Sequence, residues 1–106
     1  VEIDSQDDII PSLHAIYSDS RVARAQHNIY AYRLKSGSGH LEHYDDDGEW
    51  GAGRMLLDIL RKNNKENVLV CVTRWCGHRN LGKKRFDLIV KCTTLTLLTN
   101  SFSRQK

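Results

Sequence analysis

Residues 67–75, NVLVCVTRW, are apolar on both faces of an extended chain. A strand of that kind needs cover above and below, so the sequence predicts a central strand around which everything else is laid. The rest of the chain is arranged to supply that cover. Val1-Glu2-Ile3 reads as a short strand. Ser5, with Asp8 three residues on, resembles a helix start. Ile9, Leu13, Ile16 and Tyr17 follow at helical spacing. Pro11 requires that helix to begin near it or to kink in its first turn, because an interior proline loses a hydrogen bond at a cost of about 3 kcal/mol.

HNIYAYRL, residues 27–34, is β-branched and aromatic and reads as a strand. SGSG at 36–39 reads as a turn, and 40–46 as the returning strand of a hairpin. GAGRMLLDILRKNN follows as a helix with Leu56, Ile59 and Leu60 as its stripe. Arg61 and Lys62 suit its C-terminus, and Asn63 or Asn64 can take a left-handed cap. Phe86, Ile89, Val90 and Leu97 fit a last helix, although TTLTLLT within it has β character. The order is β-α-β-β-α-β-α, an α+β two-layer sandwich. Val68, Val70, Val72, Leu56, Leu60, Phe86 and Ile89 are the expected core. Helices on one face would leave the other sheet face, with Tyr30 or Tyr32, partly open.

At 106 residues the chain is expected to form a single domain, 1–106, large enough to bury a core without staples. It starts with Val1 rather than Met, as an excised domain would. Three cysteines, Cys71, Cys76 and Cys92, have no CxxC spacing and cannot all pair. A reduced, cytoplasmic setting is the simplest expectation. No apolar run reaches the roughly 18 residues of a membrane span, and no signal peptide is visible.

Net charge is only +3, but its distribution is uneven. Glu42, Asp45, Asp46, Asp47 and Glu49 lie within eight residues of one another, while Arg74, Arg79, Lys83, Lys84, Arg85 and Lys91 face a single acid, Asp87. Asp46, Asp47 and Glu49 with His27, His40 or His43 have the oxygen ligands a hard cation prefers, yet their spacing matches no metal loop. A solvated hairpin end leading into a helix is the better reading. GAGRM lacks both phosphate-loop signatures, and its flanking acids repel phosphate. Cys76 beside His78 would need a third, orienting group to act as a nucleophile. Cys71 and Cys92 read as small buried hydrophobes. Trp50 and Trp75 read as core residues, with exposure more plausible for Trp50. No catalytic residue, metal or cofactor is therefore assigned.

Lys83, Lys84 and Arg85 pose a different problem. They open the last helix, where the backbone already carries about half a positive charge and each added cation costs roughly 0.3–1 kcal/mol. Arg74, Arg79, Lys83, Lys84 and Arg85 are read as one exposed basic edge, relieved by an acidic protein face or by phosphates of nucleic acid.

Four stretches carry a family resemblance: Ala25-Gln26-His27-Asn28 running into IYAYR, DDGE at 46–49, AGRMLLDIL at 52–60, and VLVCVTRWCGHRNLGKKRF at 68–86. In this order and spacing they resemble the IMPACT/YigZ family, and specifically the C-terminal domain of its eukaryotic members. The family's second glycine after Arg-Trp is His78 here, and its Gly-Pro-Asp-Arg-Phe is Gly82-Lys83-Lys84-Arg85-Phe86. The resemblance implies a fold like the second domain of ribosomal protein S five and an N-terminal RWD domain absent from this chain. It implies a repressor role in the translational stress response. Eukaryotic members bind the ribosome-associated activator of the amino-acid-starvation kinase, so that the initiation factor alpha subunit stays unphosphorylated. Actin is a further implied partner. His27, Asn28, Asp46, Asp47 and Glu49 are the implied motif surface. An RNA- or ribosome-binding domain is the first alternative and a metal-assisted hydrolase the second.

Overall fold

A computed structural model describes residues 1–75 and 84–99, with the side chains of Lys84, Arg85, Leu98 and Thr99 outside that description. A 3-10 turn (Gln6–Asp8) leads into α1 (Ile9–Tyr17) and a single turn, α2 (Ser20–Ala23). Strands β1 (His27–Ser36) and β2 (Gly39–Asp45) form a hairpin, followed by α3 (Ala52–Lys62), β3 (Val68–Arg74) and α4 (Lys84–Thr99).

The predicted helix start is present. The Asp8 carboxylate accepts the amides of Asp4 at 2.7 Å and Ser5 at 3.2 Å. Pro11 lies in the first turn of α1, just past the 3-10 turn. The hairpin turn is also as read: Ser36 pairs with Gly39, and Gly37 takes φ +59°, as two-residue loops that begin with glycine do. Of the two candidate asparagines, Asn64 takes the left-handed conformation, with φ +53°.

The sheet is antiparallel with order β2-β1-β3. The central strand is therefore β1, and not β3 as its composition suggested. Beyond β3 lies only a bridge from Glu2 to Val68, which is what the predicted N-terminal strand amounts to among the described residues. Strand β3 is apolar on both faces because both are covered. On one face Val68, Val70 and Val72 join Ile29 and Ala31 against α3 and α4, in a core that includes Leu56, Leu60 and Ile89. On the other, Leu69, Cys71, Leu34 and Tyr32 meet Ile9, Leu13 and Ile16 of α1. The α+β sandwich stands; of the seven expected core residues Leu56, Leu60, Val68 and Ile89 are buried in its main cluster, and Val70, Val72 and Phe86 pack against it partly buried. The expectation of helices on one face does not stand, since α1 covers one end of the opposite face.

Tertiary packing overrides β propensity in TTLTLLT, where Thr93 and Leu97 are buried along α4. Cys92 is exposed rather than part of the buried stripe. Both tryptophans lie outside the core: Trp50 is 85% exposed, and Trp75 is 52% exposed with its indole Nε1 donating to the Arg21 carbonyl at 2.9 Å.

Candidate functional site

The motif residues distributed along the chain meet at one end of the sheet. The start of β1 brings His27 and Asn28, the end of β3 brings Arg74, and the 46–51 loop hangs between them on its way into α3. That loop bends sharply, with φ +45° at Asp47 and +85° at both Gly48 and Gly51.

Each acid of the DDGE stretch has a specific local partner. Asp46 caps α3: Oδ1 accepts the Gly53 amide at 2.7 Å and Oδ2 the Gly51 amide at 3.2 Å. These are backbone donors at a helix N-terminus, where a carboxylate is doubly favoured. Asp47 ties the loop to the sheet. Its Oδ2 accepts the Asn28 amide at 2.6 Å, and its carbonyl meets His27 Nδ1 at 2.7 Å. Its own amide donates to Asp45 Oδ1 at 3.0 Å. Glu49 is 3% exposed and accepts from Arg74 Nε at 2.5 Å. The solvated hairpin end expected from sequence is thus a set of carboxylates bonded to backbone amides and to one arginine.

Asn28 holds the other side. Its Nδ2 donates to the Val22 carbonyl at 2.9 Å and anchors α2, while its buried Oδ1 has no partner among the described residues. An acceptor left buried without a partner carries a desolvation cost of about 1–3 kcal/mol. Gly53 is fixed by close approach. A Cβ there would stand 2.8 Å from Asp46 Oδ1 and 2.9 Å from the Asp45 carbonyl carbon. Beside the loop, on the sheet face that carries α1, Tyr30 and Tyr32 lie 6.1 and 5.7 Å from the His43 ring. Burial, and then the Asp47 carboxylate, push the Tyr17 hydroxyl above its usual pKa. Burial raises Cys71 likewise.

Among the described residues, no group of three or more His, Cys, Asp or Glu is placed to hold a metal ion. His40 is not at this locus; its Nε2 is 2.9 Å from Glu66 Oε1. Of the proposed basic edge, Arg74 is not an exposed cation, because it is paired with the buried Glu49 and its side chain is 25% exposed. Arg79 and Lys83, like Cys76 and His78, lie outside the described residues. Lys84 and Arg85 do fall in the first turn of α4, as read. The structure thus brings His27, Asn28, Asp46, Asp47, Glu49 and Arg74 together. The Glu49–Arg74 pair spans 25 positions, and periodicity carries no signal for it. Only the joint presence of both residues in motif stretches pointed that way.

A family model described as the Impact N-terminal domain matches residues 1–97. The chain belongs to the IMPACT family. It is 38% identical over 104 residues to the protein IMPACT homolog of Schizosaccharomyces pombe, covering 96% of this chain and 37% of that protein. It is 41% identical over 97 residues to the Dictyostelium discoideum homolog (87% and 28%) and 39% identical over 93 residues to protein IMPACT of Mus musculus (86% and 29%). The chain thus spans between about a quarter and two fifths of these relatives. The motif resemblance is right at the level of the family. Its finer part, a C-terminal domain, is not what the match supports, since the matching model is described as an N-terminal one. Among the described residues, no helix of this IMPACT-family domain is long and apolar enough to cross a membrane.

Proposed function

We propose that this IMPACT-family domain is a non-catalytic, regulatory protein-interaction module of translation control in the cytoplasm. The partner we propose is the ribosome-associated activator of the amino-acid-starvation kinase. Occupying that activator would keep the kinase idle and the initiation factor alpha subunit unphosphorylated. The observation that carries a binding rather than a catalytic role is the way the motif carboxylates are engaged. Asp46 and Asp47 accept backbone amides and Glu49 accepts from Arg74, so each shapes the loop instead of facing a vacant reaction centre. The contact surface proposed takes in the exposed Trp50 and Trp75 and, by sequence, the basic residues that open α4.

The test is a titration of the immobilised domain with the purified activator at rising salt. Replacing Lys83, Lys84 and Arg85 together by Ala is expected to weaken binding, as is raising salt, since rim charges act through association rate and screening. Binding that survives both the triple substitution and half-molar salt, where the Debye length is about 4 Å, would remove the basic edge from the interface. A nuclease-treated arm separates the alternatives: co-purification lost on RNA digestion would favour the RNA- or ribosome-binding reading. Pelleting with filamentous actin tests the second proposed partner.

A further inference from the structure

Helix α1 covers only part of its sheet face, where Leu13 and Ile16 pack in the cluster of Leu34 and Leu69. The rest of that face is aromatic and acidic. Tyr32 pairs across the strands with His43, and Tyr30 with Asp45. The His43 ring lies 6.1 Å from that of Tyr30 and 5.7 Å from that of Tyr32, tilted by 50° and 42°. Tyr30 and Tyr32 are half-buried, while His43, Asp45 and Asp47 are exposed. Burial, then Asp47, and further Cys71, Asp45 and Tyr30, push the Tyr17 hydroxyl up, which sets the C-terminal end of α1 beside the same patch. The charge there is one-sided. Side chains alternate between faces along a strand, so Arg33 and Lys35 of β1 and Arg74 of β3 belong to the α3 side. No lysine or arginine of the three strands shares the face of Tyr30 and Tyr32. Asp45 accepts the Asp47 amide and Asp47 the Asn28 amide, and among the described residues neither carboxylate is ion-paired.

We propose that this patch of Tyr30, Tyr32 and His43, rimmed by Asp45 and Asp47, docks an arginine-bearing basic segment of a partner protein. A guanidinium is flat, so it stacks on a ring face while its N–H edge donates to a carboxylate. Both partners stand at the spacing this needs. Residues that face each other on antiparallel strands are about 5 Å apart at Cβ, so a guanidinium laid over Tyr30 has the Asp45 carboxylate at its edge. The last carbonyls of α1 add negative potential on the same side. RNA fits poorly. Its bases stack on such rings, but its phosphates would lie against Asp45 and Asp47 within a Debye length of about 8 Å, with no strand cation to receive them. The patch is opposite in sign to the basic residues that open α4, and it does not rest on the partner proposed above.

The test titrates the 106-residue chain with the peptide Gly-Arg-Gly-Arg-Gly and follows the ring signals of Tyr30, Tyr32 and His43 by NMR. Saturable shifts of these rings are expected. Tyr30→Leu is expected to weaken binding by ~10-fold, through loss of the stacking face. Asp45→Asn keeps the Oδ1 that accepts the Asp47 amide, so the loop stays in place; it is expected to weaken binding by about 3–10-fold, through loss of the charge alone, and it carries the test should Tyr30→Leu fail to fold. The same peptide with citrulline for arginine is expected not to bind, and with lysine to bind less tightly, because an ammonium has no plane to stack. Replacing Lys83, Lys84 and Arg85 together by Ala is expected to leave peptide binding unchanged, so this proposal and the basic edge fail separately. Peptide binding that neither Tyr30→Leu nor Asp45→Asn weakens, or that leaves the three rings unmoved, would overturn the proposal. Equal affinity for the citrulline or lysine peptide would overturn arginine as the group recognised. A uridine hexanucleotide that moves the same rings at lower concentration than the peptide would overturn the occupant in favour of RNA.

Discussion

Asp46, Glu49 and Gly53 show how much of the motif serves to hold one loop. Gly53 lies inside a helix, where alanine would ordinarily add about 1 kcal/mol of stability. Here the added Cβ meets the Tyr44 ring at 2.8 Å, which can yield, and the Asp45 backbone at 2.9 Å, which cannot without moving β2. Gly53→Ala is therefore expected to destabilise by about 1–3 kcal/mol net, read by urea unfolding. A neutral or stabilising result would mean that the loop shifts freely. Arg74→Met is expected to cost about 3 kcal/mol, because it leaves the buried Glu49 charge without its arginine. Combining it with Glu49→Gln should recover part of that loss, since the cost lies in a buried charge that has lost its arginine. A double variant no more stable than Arg74→Met alone would place the cost in packing. None of this was legible from the acids themselves. A run of five carboxylates reads as solvated charge, and whether each finds a backbone amide depends on left-handed residues at Asp47, Gly48 and Gly51, which only the folded path reveals.

At the scale of elements, periodicity located the helices and strands well, and pairing partners poorly. The stripe of α3 and the hairpin were readable because each is a local pattern with its own turn residues. The place of β3 was not. Apolarity on both faces reports cover, and a strand beside the central one can be covered by α4 on one side and α1 on the other. Glu42 shows a second kind of hidden order. It stands on β2, yet accepts from Arg33 Nε of β1 at 2.9 Å and from Arg61 Nη2 of α3 at 2.5 Å, so it braces three elements. The hydrogen bond from Arg61, with that from Arg33, holds its carboxyl down at about 2 from a usual 4.5. A folded-state pKa below the unfolded one means stability that is complete above about pH 4.5 and lost as pH falls toward 2. After allowance for solvent screening the brace is worth about 1–2 kcal/mol. Glu42→Gln is expected to lower stability at neutral pH by about that amount and to flatten the acid limb of a stability-versus-pH curve. An unchanged slope between pH 5 and 2 would assign the acid transition to other carboxylates.

Over the whole molecule the two faces of the sheet are unequal. Among the described residues, the face under α3 and α4 buries ten in its cluster, and α3 alone contributes Leu56, Leu57, Ile59 and Leu60. Among the described residues the face under α1 buries four, and of α1 itself only Ile9 is buried, with Leu13 and Ile16 half-buried and Ile10 exposed. Each fully buried aliphatic side chain contributes roughly 1.5–3 kcal/mol, so α1 is held by far less than α3. Its entry is fixed by the Asp8 carboxylate, a bond worth about 1 kcal/mol. Amide exchange under native conditions is therefore expected to show two tiers: α3 and β1 opening only with global unfolding, and α1 opening by several kcal/mol less. Leu13→Ala should lower the α1 tier without touching the α3 tier, whereas Leu56→Ala should lower both, because α1 rests on a sheet whose other face Leu56 helps to fill. Equal opening free energies for α1 and α3, moving together in both variants, would show a single cooperative unit in which the smaller face is as firmly held as the larger one.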